Sequence, residues 1–596
     1  MMARLSFCTA LAAIATLAAA QTTPLTGRHT DLPRWCGKPY QPALPNYDPG
    51  GQVVPPAPLP SDALFIQVVP RHSIYVSSEE KGEFVIDAQI SRYCGTPLTD
   101  GVSIGESLKF EIKEDASRTV LVKDEVAVNS TRNVYNFDLG LLQPRLDPYS
   151  ITFTTEVDHG DQRLTATSQL YFLPAKTNGS MVKIDNLNGG MLMANEASDF
   201  HFQPILPFGF YTSCSGYLTS KTNVSLYKDM GFTAINPVCA LPDEDVGSTL
   251  FDWLDELNMP YQYDMRNSFY NLTSVAAQVP LIKDRSSLLS WYTADEPDGW
   301  QYSFNSSTAV YEYLKRVDPY HPTGLVLNCA NYYFDEYSVG TDYIMEDAYP
   351  IGINATFSKW GTACNATYGD CGCDNCVGAL HDVSDRLDML KRYQTWLGRP
   401  QKPLWTVAQA FSGEGYWSRD PTPNEAWAMN LLGFNHGAKA VMNWQFPASE
   451  TLNEANSAMA KVFTAIPVSG FLLDGQPTPV QVVGHEMLDV AYWKCGGQVM
   501  VAMVNQDYND SVAVVRLQLP WPVKRIVSQP WGKVSFQVHE GRLELEGITG
   551  VATSVVILDV DAGVKAVSKS DRHVKMRVGS DTPPALNRDR QQQVYT

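Results

Sequence analysis

The chain of 596 residues is longer than a single hydrophobic core organises, so about two to four domains are expected. Its formal charge of −19 argues against nucleic-acid or anionic-membrane partners, which need Lys/Arg-rich faces. Past the N-terminus no apolar run reaches the length of a membrane span, and neither class of partner is expected.

Residues 1–20 carry Arg4, an Ala/Leu-rich run and Ala18-Ala19-Ala20 before Gln21, the pattern of a secretory signal peptide. The mature protein is accordingly expected to be extracellular. Sequons at Asn129, Asn178, Asn223, Asn271, Asn305, Asn354, Asn365 and Asn509 agree with export and predict a glycoprotein. Removing Cys8 with the signal leaves ten cysteines, an even number that suits disulfides in an oxidising compartment. Cys36 and Cys94 would tie the leader to the first domain. The group Cys364, Cys371, Cys373 and Cys376 has zinc-like composition but tight, irregular spacing, which favours a disulfide-stapled loop over a metal site. No metal or cofactor is expected.

Residues 21–60, rich in Pro, Gly and Asn, read as a leader. Over 61–180 short alternating runs at 64–69, 83–86, 108–112, 119–122, 151–154 and 170–173 predict an N-terminal β-sandwich. From 181 to 470 the period changes to apolar strands alternating with helical stretches, as in βα units. Strands are predicted at 205–210, 234–238, 261–265, 288–293, 324–327, 343–345, 404–408 and 440–444, the complement of a (β/α)8 barrel. The interval from the fifth to the sixth is too short for a full helix, and a Cys-rich insertion separates the sixth from the seventh. Strands at 480–483, 499–504, 512–517 and 555–558 place a second β domain over 471–562, and 563–596 reads as a disordered tail. The fold class is therefore multidomain, α/β plus all-β: a TIM barrel flanked by N-terminal and C-terminal β-sandwich domains.

Active sites of such barrels sit at the C-terminal ends of the strands. The fourth strand runs into Trp291-Tyr292-Thr293-Ala294-Asp295-Glu296-Pro297, two adjacent carboxylates closed by a strand breaker. Other strand ends supply Tyr211, Asp264-Met265-Arg266, Glu346-Asp347-Ala348-Tyr349, Gln409 with Glu414 beyond it, and Trp444. The mouth is acidic and aromatic. Glycosidic cleavage needs a protonated carboxyl at the leaving oxygen and a second group for the sugar cation, while aromatic faces stack on pyranose rings. Neighbours on a strand point to opposite faces, so Asp295 and Glu296 both reach the cleft only if a bulge intervenes. No G-x-S-x-G elbow, H-E-x-x-H helix or phosphate-cradling loop is present. His321 and His436 read as structural, and Glu425 as a helix-start carboxylate.

The Trp-Tyr-x-x-Asp-Glu-Pro-Asp-Gly segment, Asp318-Pro319-Tyr320-His321-Pro322, Asp347-Ala348-Tyr349-Pro350, Pro421-Thr422-Pro423-Asn424-Glu425, and Gly437-Ala438-Lys439-Ala440 with Trp444 together resemble secreted (β/α)8-barrel glycoside hydrolases over roughly residues 204–450. The resemblance implies a carbohydrate substrate, with Glu296 as acid/base. The same family pattern has a nucleophilic Glu ending strand seven, where this chain has Gln409, and an amide forms no glycosyl-enzyme ester. Three routes stay open: Glu414 as nucleophile, Asp347 or Glu346 as second carboxylate, or Asp295 acting with Glu296 as in substrate-assisted β-N-acetylhexosaminidases, where Asp positions the substrate's acetamide. A non-catalytic carbohydrate-binding wall protein is the alternative to all three. Catalytic candidates are thus Glu296, Asp295 and Asp347; candidates for substrate contact are Tyr211, Asp264, Trp291, Tyr349, Gln409, Glu414 and Trp444.

Overall fold

The computed structural model describes residues 51–98, 105–157, 162–239, 246–300, 302–354, 372–511 and 513–561, with two short strands, Arg34–Trp35 and Lys38–Pro39. The signal segment, most of the leader, the tail, and Cys36, Cys364, Cys371 and Asn365 lie outside the described residues.

Eight parallel strands close into a barrel in sequence order: Phe208–Ser213, Ala234–Val238, Tyr261–Asp264, Leu288–Asp295, Thr323–Leu327, Tyr343–Glu346, Leu404–Thr406 and Ala438–Phe446. Alternation along each strand divides the apolar residues between two layers. Tyr211, Ala234, Tyr292, Met345 and Met442 fill the interior, whereas Phe210, Ile235, Trp291, Ile344 and Val441 pack outward against the helices. The short fifth-to-sixth interval holds only Phe334–Ser338, and His381–Trp396 follows the Cys-rich insertion.

The first strand begins later than predicted. Gln203–Ile205 instead pairs antiparallel with Met191–Ala194, which pairs with Met181–Ile184. Pro207 withholds an amide proton that a continuous barrel strand from residue 205 would use. This small sheet plugs the N-terminal end of the barrel, where Val182, Ile184, Met191 and Met193 join the interior cluster.

Upstream, two four-stranded antiparallel sheets form a sandwich over a core that includes Phe84, Ile86, Phe110, Ile112 and Phe153. The sequence reading overlooked its strand Ser130–Asp138, whose polar residues leave most side chains at least partly exposed. Downstream lie a five-stranded and a three-stranded sheet. The expected strand at 480–483 is irregular and partly or fully exposed; Thr478–Pro479 pairs with Tyr492 and Ala491 in its place. One face of the larger sheet, with Trp493, Met500, Ala502 and Ile557, is continuous with the apolar layer of the barrel helices. Its opposite face covers the smaller sheet.

Two polar clamps reinforce that seam. His436, after helix Pro423–Asn435, contacts Asp388 Oδ2 at 2.9 Å and Asp489 Oδ2 at 2.7 Å. Tyr508 donates to Glu425 Oε1 at 2.6 Å, and Arg419 pairs with the same carboxylate at 2.7 Å.

Cys214–Cys239 joins the ends of the first two barrel strands, and Cys373–Cys376 staples the described part of the Cys-rich loop. Cys329 is also disulfide-bonded. Full pairing does not hold: Cys94 and Cys495 are free thiols, so Cys94 does not tie the leader down. Among the described residues no single helix is long and apolar enough to cross a membrane.

Candidate active site

Strand four delivers both of its terminal carboxylates to the mouth. Tyr292 points inward, but the register with strand five slips between Tyr292 and Ala294, and Ala294 joins the outer layer. That bulge reverses the alternation and turns Asp295 inward. Glu296 then adopts φ +47°, a left-handed turn that carries the next carboxyl toward the same opening. A local irregularity thus removes the objection that neighbouring strand residues face apart.

Asp295 is held from two sides. Tyr292 OH donates to its Oδ1 at 2.6 Å and Arg266 Nη1 to its Oδ2 at 2.9 Å. Burial, with Glu296 and Asp264 adding negative charge, pushes Asp295 up to about 6 against the pull of Arg266. Arg266 is itself anchored on Asp264, through its backbone N–H at 2.9 Å and its Nε at 2.8 Å, and Asn236 Nδ2 donates to Asp264 at 2.9 Å. Rings of Tyr211, Tyr292 and Trp444 stand 5.4, 5.5 and 5.4 Å from the guanidinium carbon. A cation boxed by three aromatic rings and two carboxylates is held firmly in place.

Glu296 meets the ends of strands five and six. Asn328 Nδ2 donates to its Oε1 at 3.3 Å, and the buried carboxyl of Asp347 lies beside it. Burial, with the neighbouring carboxyl of Glu296 adding to it, drives the Asp347 pKa well up. Its Oδ1 has no protein partner among the described residues. Asn328 is fixed in turn: Asp298 accepts from its N–H at 3.2 Å and from that of Cys329 at 2.9 Å, while Arg386 donates to its carbonyl at 2.7 Å.

Several expected contact residues lie elsewhere. Trp291 occupies the outward parity of strand four, fully buried in the strand-helix layer, and its Nε1 donates to Asp318 at 2.8 Å; it is not a sugar platform. Gln409 is fully buried and spends its amide on the chain, donating to the carbonyls of Ile351 and Phe411 and accepting from Ile351 N–H at 2.8 Å. It shapes a loop instead of touching substrate. Asp264 is 3 % exposed and serves Arg266 and Asn236. Glu346 points outward to Thr406 and the N–H of Ala348, where burial raises it to about 7, which removes it as the second carboxylate at the mouth.

Tyr211 and Tyr349 form the closed floor, 1 % and 7 % exposed. Trp444 is half-buried at the rim, and its Nε1 reaches Glu414 Oε1 at 3.4 Å; Glu414 itself is exposed in the loop between Gly413 and Gly415. The sequence reading passed over Arg266, Asn328, Asn236 and Tyr292 as site residues. Position alone pointed to the first two, each standing just past a barrel strand.

Comparison with known proteins gives no family model and no curated protein that matches the chain. Solved structures show only weak similarity. An FMN-binding beta-glucuronidase from Facaelibacterium prausnitzii L2-6 is 10 % identical, covering 84 % of this chain and 75 % of that one, with a TM-score of 0.32. A GH30 endoxylanase from Clostridium papyrosolvens C71 is 9 % identical over 60 % of this chain and 97 % of its own, with a TM-score of 0.35. A GH51 arabinofuranosidase from Xanthomonas axonopodis pv. citri is 10 % identical over 57 % and 89 %, with a TM-score of 0.37. At these scores the chemistry of the mouth rests on its own geometry.

Proposed function

We propose that the protein is an extracellular glycoside hydrolase in which Glu296 is the general acid and the substrate's own 2-acetamido group supplies the nucleophile. The observation that carries this reading is the inward turn of both Asp295 and Glu296, produced by the bulge and the positive φ. Glu296 gives its proton to the departing glycosidic oxygen while the acetamide carbonyl oxygen attacks the anomeric carbon. Asp295 accepts the acetamide N–H and balances the positive charge of the cyclic intermediate. Water, deprotonated by Glu296, then opens the ring and restores the acid.

Two further observations favour this route over a protein nucleophile. Gln409, on strand seven, is consumed by loop carbonyls. Asp347, buried beside Glu296, has its pKa pushed well up, which does not suit an anionic nucleophile or base. Asp347 instead helps to hold Glu296 in place. The cysteine bonds support an oxidising compartment.

The test compares aryl glycosides with and without a 2-acetamido group in wild type, Asp295→Asn and Asp347→Asn. The expected result is turnover confined to the acetamido substrates, with Asp295→Asn slowed about 10²-fold and Asp347→Asn about tenfold or less. Equal turnover of substrates lacking the acetamide would sink the assisted route.

A further inference from the structure

The floor of the mouth is closed by Tyr211 and Tyr349, with Tyr292 fully buried beneath, so a saccharide engaged at Asp295 and Glu296 extends only along the rim. On the strand-eight side the rim carries Trp444 and Glu414. On the opposite side, the loops after strands three and four bring together aromatic residues that the reading above does not use. Tyr270 and Tyr302 stack at 5.3 Å between centroids with a 19° interplanar angle, and both are half-buried. The buried ring of Phe269 meets Tyr302 edge-on at 5.0 Å, and Tyr337 OH donates to the Tyr302 carbonyl at 2.6 Å.

Trp300, in the same loop, is 41 % exposed. Its N–H donates to the carbonyl of Glu296 at 2.9 Å, and the N–H of Tyr302 to that of Pro297 at 3.0 Å, so the loop turns tightly away from the acid itself. A rigid, partly exposed aromatic surface attached to the proton donor is what the apolar face of a pyranose needs.

We propose that Tyr270, Tyr302 and Trp300 form a shelf that binds the departing sugar unit. The inference rests on Glu296 as the acid: the group receiving its proton must leave past the loop that begins at Glu296. The substrate is then an oligosaccharide or glycan in which a further pyranose follows the 2-acetamido unit.

The test uses N,N′-diacetylchitobiose, which has a departing pyranose, and the matching 2-acetamido glycosyl fluoride, whose departing group is one atom. The ratio of kcat/KM for the disaccharide to that for the fluoride is expected to fall about tenfold in Tyr302→Ala and in Trp300→Ala, mainly through KM, equivalent to about 1.4 kcal/mol. Tyr302→Phe, which keeps the ring, restores the ratio. Calorimetric binding of the disaccharide to Glu296→Gln, with and without Tyr302→Ala, reads the shelf without turnover. Hydrolysis with an unchanged ratio overturns the shelf and leaves the proposed function standing. No hydrolysis by wild type, with binding that Tyr302→Ala weakens, overturns the function and keeps the shelf. Neither hydrolysis nor binding removes both.

Discussion

The barrel mouth and the seam to the C-terminal sheet both bury several ionisable groups, yet they shift them in opposite senses. At the mouth, three carboxyls crowd together, and burial with mutual repulsion raises Asp295 and Asp347 toward their protonated forms. At the seam, opposite charges meet. Burial opposes ionisation there too, but Arg419 and Tyr508 carry Glu425 down to about 2, and Asp388 and Asp489 lift His436 to about 9. Paired charge fastens the seam, whereas crowded carboxyls at the mouth disfavour one another's ionisation.

The largest effect expected from breaking this contrast is at Glu296. Glu296→Gln keeps the shape and the contact with Asn328 but removes the transferable proton, and turnover of a substrate with a poor leaving group should fall about 10²–10⁴-fold. The amide has nearly the size of the carboxyl it replaces, so folding stability should be retained. An unimpaired variant would disqualify Glu296 as the acid.

The difference between the regions also marks what a sequence conveys. Barrel strands were readable because runs such as Leu288-Leu289 and Ala440-Val441-Met442 are apolar on both faces, the signature of a sheet buried between core and helices. The adjacent acids of strand four were readable from Pro297 behind them. Their shared orientation was not, since it depends on a one-residue slip against strand five and on the φ of Glu296, neither of which has a residue signature here. Gln409 and Trp291 misled because position along a strand does not reveal parity once bulges intervene. The role of Arg266 was unreadable for a related reason: its partner Asp295 is 29 residues away, and only barrel closure joins them.

At the seam, the expected effect is smaller and depends on pH. The folded pKa of His436, about 9, lies above its ordinary 6.5, so its contribution is fully present below pH 6.5 and lost as pH rises through 9. Asp385, His381, Lys391 and Arg392 surround the Asp388 side of this cluster. The shift corresponds to roughly 3 kcal/mol. Urea unfolding of wild type and His436→Gln between pH 6 and 9.5 should show a stability gap that narrows with rising pH, and a constant gap would mean that His436 is not the titrating clamp.

The smallest effect separates structure from function inside strand four itself. Trp291 and Tyr292 are neighbours, but one faces the helices and the other the barrel interior. Trp291→Phe deletes the bond from Nε1 to Asp318, which keeps its 2.8 Å donor only in wild type but retains His321 Nδ1 at 2.7 Å. Losing one buried hydrogen bond and part of an indole should cost about 1–3 kcal/mol of stability. Because no atom of Trp291 borders the mouth, kcat/KM should stay within about twofold of wild type at temperatures where the variant is folded. A tenfold loss of kcat/KM with an unchanged Tm would return Trp291 to the cleft and place the parity reversal earlier in the strand than Tyr292.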